Sequence, residues 1–248
     1  MVEKLAVLLQ DCKNAVFFGG AGVSTESGLK DFRSEDGLYQ AMKEFDRSPE
    51  QLLSHSFFAA HPQTFFEYYK SNLINTQAKP NDAHFALARL EQQGRLKAVV
   101  TQNIDGLHQQ AGSKTVYELH GSVYRNFCAA CNIDYTLDYV LHPQKEREGV
   151  PLCTECGGMV RPDVVLYEEQ LDDGVLQSAI LAISQADVLI VGGTSLVVYP
   201  AAGLLEYFNG SALVLINKSR TPFDSKATLV INDSVGKVLK QAVDSLNQ

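Results

Sequence analysis

The amino-acid sequence predicts an α/β protein: a Rossmann-like parallel sheet covered by helices, with a smaller lobe added to it. Three observations carry that prediction. Near-continuous apolar runs such as AVFF (15–18), DVLIVGG (187–193) and SALVLIN (211–217) alternate with helical stretches, as strands buried on both faces do. The first run leads straight into GGAGVSTESGLKDFR (19–33), a glycine-rich turn of the kind that presents backbone amides to a ligand. Two stretches break the rhythm: an aromatic, helical segment at 35–79, and a segment at 124–160 that holds four of the five cysteines.

The elements follow in order. Val2, Leu5, Leu8, Leu9 and Cys12 recur at helical spacing, so residues 2–12 form an opening helix with Cys12 on its packed face, and AVFF is the first strand. Pro49 after Ser48 and Pro62 after His61 each start a helix, because proline's fixed φ and missing N–H suit the first turn. Asn81 and Asp82 cap a helix that runs to Gln93 and stops at Gly94. LKAVVTQN, VYELHG, RPDVVLY, DVLIVGG, SALVLIN and ATLVIN read as strands, and SVGKVLKQAVDSLN as a closing amphipathic helix. On this reading residues 1–34, 80–123 and 161–248 build the Rossmann-like domain, 35–79 a helical insertion and 124–160 a ribbon module. Ligands of such sheets sit outside the carboxyl ends of the strands, often between lobes.

With 248 residues the chain buries a substantial core, and its composition is that of an ordinary globular protein without repeats or low-complexity stretches. A formal net charge of −8 argues against a protein built to grip nucleic acid or an anionic membrane, and it suits a basic peptide partner. In MVEKLAVLLQDCKNAVFF, Asp11 and Lys13 interrupt the apolar stretch, which is not the layout of a secretory signal. VLIVGGTSLVVYPAAGLL (188–205) is uncharged and long enough to suggest a membrane span. Gly192-Gly193-Thr194-Ser195 breaks it and Pro200 restarts it, so a strand, a tight loop and a helix fit better. The expectation is a soluble, cytoplasmic protein with no membrane or nucleic-acid partner. The oligomeric state stays open, and a monomer suffices.

Cys128 and Cys131 form one C-x-x-C pair and Cys153 and Cys156 a second, with Gly157-Gly158 following. Thiolates two residues apart aim at one ion, and two such knuckles complete a tetrahedron around zinc. Four thiolates leave no open coordination position, so the expected zinc is structural and replaces the core that so short a segment cannot build. The smaller lobe is therefore a zinc ribbon plus the helical insertion. A redox dithiol of the thioredoxin type would need only one pair, beside a βαβ start.

Polar residues gather where strands leave the sheet. TQNIDGLH (101–108) puts Gln102, Asn103 and Asp105 at one carboxyl end, an amide and carboxylate set able to read a planar carboxamide, although Asn and Asp also cap loops. His120 closes VYELHG; an imidazole there suits a general base, while a lone histidine at a strand end is more often structural. His55, His61, His84, His108 and His142 take the structural reading. Thr194 and Ser195 follow one buried strand and Asn217 ends the next. Short hydroxyls and an amide suit ribose and phosphate oxygens, as do Thr25 and Arg33 in the first loop. That loop is not the dehydrogenase fingerprint, since Thr25 stands where a third glycine is wanted after Gly20 and Gly22. The stretch about 20 positions on, MKEFDRSPEQLLSH, reads as loop and helix rather than a strand closed by an acidic residue.

Together, GGAGVSTESGLKDFR, TQNIDGLH, the ELHG histidine, the two C-x-x-C pairs, RPDVVLYEE, GTSLVVYPAA and the late LIN resemble the sirtuins, the zinc-containing, NAD-dependent protein deacylases. The motifs run in the family's order from about residue 5 to the C-terminal helix. The resemblance implies that NAD is consumed as a co-substrate and not used as a hydride carrier. The unusual loop would then hold the pyrophosphate while exposing the nicotinamide–ribose bond. Ala21, Gly22, Thr25, Phe32 and Arg33 are implied at the cofactor, with Phe32 shielding the reacting sugar face. Gln102, Ile104 and Asp105 are implied in the nicotinamide pocket, and Thr194, Ser195, Asn217 and Val235 on the adenosine half. His120, also beside the cofactor, and Asn103 are the implied catalytic pair, and Val164, Val165, Tyr167 and Glu168 the strand that pairs with substrate.

In the implied reaction the acyl-lysine oxygen attacks the ribose carbon as nicotinamide leaves. His120 then takes a proton from a ribose hydroxyl, which attacks the imidate. Nicotinamide, free lysine and O-acyl-ADP-ribose result. Two positions depart from the family pattern: Lys30 stands where proline is usual, and Tyr167-Glu168-Glu169 where Phe-Gly-Glu is usual. A glutamate at 168 adds charge where two backbones meet, which suggests targets flanked by lysine or arginine. Sirtuins that take succinyl or malonyl groups share a tyrosine and an arginine three apart; FFEYYKSNLI has Tyr68 and Tyr69 but no arginine, so acetyl is expected. Two alternatives stay open from the sequence: an NAD-dependent protein ADP-ribosyltransferase, which breaks the same bond for another acceptor, and a non-catalytic NAD-binding scaffold. No G-x-S-x-G occurs, which argues against a serine hydrolase.

Overall fold

Strands buried on both faces dictate the main sheet, and the computed structural model, which describes residues 1–29 and 35–246, shows how they are joined. Helix α1 (Val2–Asp11) leads into β1 (Ala15–Gly19), and four helices follow: α2 (Glu35–Phe45), α3 (Pro49–Leu52), α4 (His55–Ala60) and α5 (Pro62–Asn72). Next come α6 (Asp82–Gln92), β2 (Leu96–Thr101), α7 (Leu107–Gln110) and β3 (Val116–Glu118). The cysteine region contains β4 (Gly121–Cys128), β5 (Asp134–Thr136), α8 (Leu137–Leu141), β6 (Glu146–Arg147), β7 (Val150–Pro151) and β8 (Val160–Val164). The chain closes with α9 (Asp173–Ser184), β9 (Val188–Gly192), β10 (Ala212–Ile216), β11 (Leu229–Ile231) and α10 (Val235–Ser245).

The six-stranded sheet has the order β11-β10-β9-β1-β2-β3, parallel throughout. Its order reverses between β1 and β9, the switch point where doubly wound sheets open a crevice. Alternate residues of β1 serve opposite faces, as a pleated strand requires. Ala15 and Phe17 pack with Leu5, Leu87 and Leu239 of α1, α6 and α10. Val16 and Phe18 pack with Ala179 and Ile183 of α9 and with a 3-10 helix at Ala201–Tyr207. Asn81 caps α6 through the Ala83 N–H, and Gly94 takes φ +73° just past its end.

Two sequence expectations are refined. RPDVVLY is a strand, but it lies outside the parallel sheet: β8 runs antiparallel to β4 in a three-stranded sheet β5-β4-β8. Its alternation of buried Val160, Pro162 and Val164 with part-exposed Arg161 and Asp163 is the pattern of a strand with one covered face. The stretch after Pro49 is two helices, because Ser54 caps α4 by accepting from the Phe57 N–H (3.2 Å). Phe58, Phe65, Phe66, Tyr68 and Tyr69 of α4 and α5 share one core with Val123, Cys128, Val140, Val160 and Leu166, so the helical and cysteine segments form a single lobe. Among the described residues no helix is long and apolar enough to cross a membrane.

Candidate active site

The loops leaving β1 and β9 meet at the switch point, and their glycines make the meeting possible. Gly22 N–H donates to the Gly193 carbonyl (2.8 Å) and Gly20 N–H to that of Gly192 (3.3 Å). A β-carbon on Gly22 would stand 2.8 Å from Gly193 Cα, and one on Gly20 2.9 Å from Thr194 Cβ, closer than atoms pack. Hydrogen bonds then link the polar strand ends. Gln102 Nε2 donates to Thr194 Oγ1 (3.1 Å), Asn217 Oδ1 accepts from Thr194 N–H (3.0 Å), and Asn217 Nδ2 donates to the Thr194 carbonyl (2.9 Å). A second chain runs from Asn103 Nδ2 to Ser24 Oγ (3.1 Å), and from that hydroxyl to Asp105 Oδ2 (2.6 Å).

These chains border a cleft of about 240 Å³ between sheet and lobe. Ala21, Gln102, Asn103, Ile104, Asp105 and His120 line it on the sheet side; Val164, Val165, Tyr167 and Glu168 line it from the lobe. His120 is half-buried, and its Nδ1 lies 2.9 Å from the Gln102 carbonyl oxygen. A carbonyl can only accept, so Nδ1 carries the hydrogen and Nε2 is the basic nitrogen. The Val165 N–H donates to the His120 carbonyl (3.0 Å), which sets the histidine beside the lobe strand. Burial pushes the Asp105 carboxyl above its ordinary range, against the opposing pull of the Ser24 hydroxyl and the Leu107 N–H.

Those of the remaining expected residues that are described sit around this cleft rather than on its wall. Thr25 is exposed and donates to the Gly22 carbonyl (3.0 Å); its neighbour Ser24, which sequence reading passed over, is buried and lines the cleft. Ser195 is exposed, and Val235 is buried in the sheet core at the start of α10, where Gly236 N–H donates to Glu26 Oε1 (3.0 Å). Leu53 and Asn72 also line the cleft, with no sequence signal to single them out, and so do Tyr199 and Pro200, two residues of the GTSLVVYPAA motif to which sequence reading gave no role. Tyr68 and Tyr69 are core residues of the lobe. Lys30, Phe32 and Arg33 lie outside the described residues.

The four cysteine sulfurs lie within 4.8 Å of one another. The sulfur separations are 3.5 Å for Cys128–Cys156, 3.7 Å for Cys131–Cys153 and 3.4 Å for Cys131–Cys156. A tetrahedron with zinc–sulfur bonds of about 2.3 Å has edges of about 3.8 Å, so the donor set fits zinc; a disulfide would need about 2.05 Å. Backbone N–H groups favour the thiolates. Cys156 N–H and then the Tyr135 hydroxyl bring the Cys153 thiol down to about 6. The Ile133 N–H pulls the Cys131 thiol down, but partial desolvation and the three neighbouring sulfurs together outweigh it and push it up. Four thiols this close resist joint ionisation without a cation. A β-carbon on Gly158 would stand 3.0 Å from Cys128 Sγ, which explains a glycine after the second knuckle.

Residues 20–200 match the sequence profile of the Sir2 family. The chain belongs to that family. The NAD-dependent protein deacetylase of Clostridium perfringens is 62% identical over 244 residues, 98% of each chain. That of Staphylococcus aureus strain Mu50 is 44% identical over 239 residues, 96% of each. Among solved structures, a complex of Sir2 with a p53 peptide and NAD+ aligns with TM-score 0.87 at 39% identity, over 99% of this chain and 98% of that one. Sir2 bound to an acetylated peptide aligns with TM-score 0.86 at 38% identity, over the same shares.

In this Sir2-family chain the segment Tyr167-Glu168-Glu169 is laced to the helical insertion. Tyr167 N–H donates to the Leu53 carbonyl (3.0 Å), and His55 N–H to that of Tyr167 (2.9 Å). Glu168 takes φ +76°, in the region that favours glycine, and its carboxylate accepts from Ser56 N–H (2.9 Å) and Ser56 Oγ (3.0 Å). Its charge is therefore committed in part to the first turn of α4. Burial raises the Glu169 carboxyl, but the Arg161 fork (2.8 and 3.0 Å), Leu166 N–H and His55 outweigh it and hold it at about 2.

Proposed function

We propose that the chain is an NAD-dependent protein lysine deacetylase, consuming NAD to give nicotinamide, the freed lysine and O-acetyl-ADP-ribose. The observation that carries this reading is the meeting, on one cleft, of a histidine with Nε2 as its basic nitrogen, a half-buried amide–carboxylate pair and a lobe strand suited to an extended peptide. NAD as co-substrate supplies the electrophilic ribose carbon. His120 acts as general base through Nε2 while the Gln102 carbonyl fixes its tautomer. Asn103 and Asp105, joined through Ser24, present an amide and a carboxyl to the carboxamide end, with Gln102 and Ile104 beside them. Ala21, Gly22, Thr25, Phe32 and Arg33 serve the phosphates and near ribose, and Thr194, Ser195, Asn217 and Val235 the adenosine half. Val164, Val165, Tyr167 and Glu168 pair with the substrate backbone.

Among the described lining residues there is no lysine or arginine, while Asp105, Glu168 and Glu169 are acidic, which supports a neutral acyl group such as acetyl. Cys128, Cys131, Cys153 and Cys156 hold one structural zinc, which fixes the lobe and takes no part in the chemistry. Segments 35–79 and 124–160 act together as the lobe against the Rossmann-like remainder; their shared core supports this, and it also takes in Val123, Val164 and Leu166 from the flanking chain. The thiol cluster supports a reducing, cytoplasmic setting, and the net charge of −8 supports a protein partner over nucleic acid.

The deciding experiment incubates purified protein with NAD and an acetyl-lysine peptide and follows all species by mass spectrometry. Loss of acetyl matched by nicotinamide and O-acetyl-ADP-ribose is the expected result. Nicotinamide release with the acetyl group intact and ADP-ribose on protein would replace this reading with a transferase. NAD bound but uncleaved would replace it with a scaffold.

A further inference from the structure

We infer that Arg125 is a positioning residue for this reaction: from a bulge in β4 it ties the strand end carrying His120 to the lobe strand on the other side of the cleft. The inference rests on the deacetylase reading above. Along the β4–β8 ladder Gly121 faces Val164 and Ser122 faces Asp163, yet the next pair is Asn126 with Pro162. Val123, Tyr124 and Arg125 thus stand opposite no residue of β8. Pro162 has no N–H to give the ladder, so an interruption there sacrifices little pairing. Bulges beside active sites re-aim side chains, and here two of the three residues meet the loop after β2 and the start of α7 while Arg125 reaches β3 and β8.

Val123 N–H donates to the Ile104 carbonyl (3.0 Å), in the loop that carries Asn103 and Asp105. The Tyr124 ring lies against Gly106, where a β-carbon would come within 2.8 Å of its Cε2, and its hydroxyl accepts from Gln110 Nε2 (3.1 Å). Arg125 donates from Nη1 to Glu118 Oε2 (2.6 Å) and from Nε to Asp163 Oδ2 (2.7 Å). Glu118 ends β3 two residues before His120, and its side chain is only 8% exposed. Asp163 directly precedes Val164 and Val165, and Val165 N–H holds the His120 carbonyl (3.0 Å).

A planar guanidinium can hold both carboxylates at fixed angles, which a lysine ammonium cannot. The Arg125 side chain is itself 54% exposed, so its pair with the part-exposed Asp163 adds little to global stability, whereas loss of the guanidinium leaves the buried Glu118 carboxylate unpaired. The effect of the two pairs is on where His120 sits relative to Val165. A displacement of the reacting groups by about 1 Å can cost about 100-fold in rate.

The test compares wild type with Arg125→Ala, Arg125→Lys and Asp163→Asn, measuring kcat, both KM values, thermal midpoint and hydrogen exchange at the Val165 amide. Arg125→Ala is expected to lower kcat at least about tenfold while the KM for NAD stays within about twofold, with Arg125→Lys recovering part of the loss. Val165 should exchange faster in Arg125→Ala than in wild type. Asp163→Asn keeps the Glu118 pair and reports if Arg125→Ala fails to fold: reduced kcat with the melt retained supports the inference, and unchanged kcat overturns it. An Arg125→Ala enzyme with wild-type kcat, or one whose loss tracks its unfolded fraction alone, overturns it as well. Should wild type itself show no deacetylation, the functional reading falls, and Val165 exchange alone decides whether Arg125 fixes the contact.

Discussion

Glu168 offers a test in which backbone strain and hydrogen bonding act in opposite directions. Its φ of +76° costs a residue with a β-carbon about 1–2 kcal/mol relative to glycine. Against this stand two hydrogen bonds from Ser56 to its carboxylate at the start of α4. A cap of this kind contributes about 1 kcal/mol, and the helix dipole adds about 0.5 kcal/mol. Glu168→Ala removes the bonds and keeps the strain, so it should destabilise by about 1.5 kcal/mol. Glu168→Gly loses the same bonds but relieves the strain, less about 0.5–1 kcal/mol for glycine's freedom in the unfolded chain. Glycine should therefore be more stable than alanine here by about 0.5–1 kcal/mol, the reverse of the usual order inside a helix or strand. Urea unfolding of the three proteins with the slope unchanged reads this directly, and a difference of about 2–3 °C between the melts of the two variants is expected. Alanine equal to or more stable than glycine would refute the reasoning. The glycine variant also tests specificity, since an unchanged preference for peptides with basic flanks would rule out an electrostatic role for Glu168.

Three further outcomes are expected. His120→Ala should lower kcat by about 10²–10⁴ while stability stays within about 1 kcal/mol, read by steady-state kinetics and melting; an undiminished rate would remove His120 as the base. Elemental analysis should find one zinc per chain, and Cys153→Ser should lose it together with the lobe's cooperative melt, since Cys128 and Cys153 lie in the lobe core. His84 and His108 are buried with ring centroids 4.7 Å apart, and burial first of all lowers them to about 4 and about 3. The unfolded chain, at about 6.5, binds more protons than the folded one below that pH, so stability is lost as pH falls from about 6.5 towards 4, by up to about 1.4 kcal/mol per pH unit for each histidine. His108→Leu should flatten that acid limb in pH-dependent urea unfolding, and an unchanged limb would show that other groups set it.

What could be read from the sequence is what its local pattern encodes. Strands such as AVFFG and VLIVG announce burial on both faces because five successive residues are buried in each. Two cysteine pairs announce a tetrahedron because each knuckle fixes two sulfurs within four residues. The polar strand ends were legible for the same reason: a parallel strand delivers whatever follows it to the carboxyl edge. Choices between neighbours were not legible. Ser24 and Thr25 look alike in GVST, and the 3-10 turn at Ala21–Val23 decides that Ser24 faces Asp105 while Thr25 faces out. Nor were ties made across long separations, such as Ser56 to Glu168, or the bulge that sends Arg125 to both Glu118 and Asp163. No periodicity records a register shift opposite a proline, because the shift belongs to the pair of strands and not to either one. The chemistry-bearing types are thus written locally, whereas the contacts that aim them exist only once the lobe has closed on the sheet. Variants that keep every motif can therefore still lose rate, and Arg125, outside every motif, is where that should be seen first.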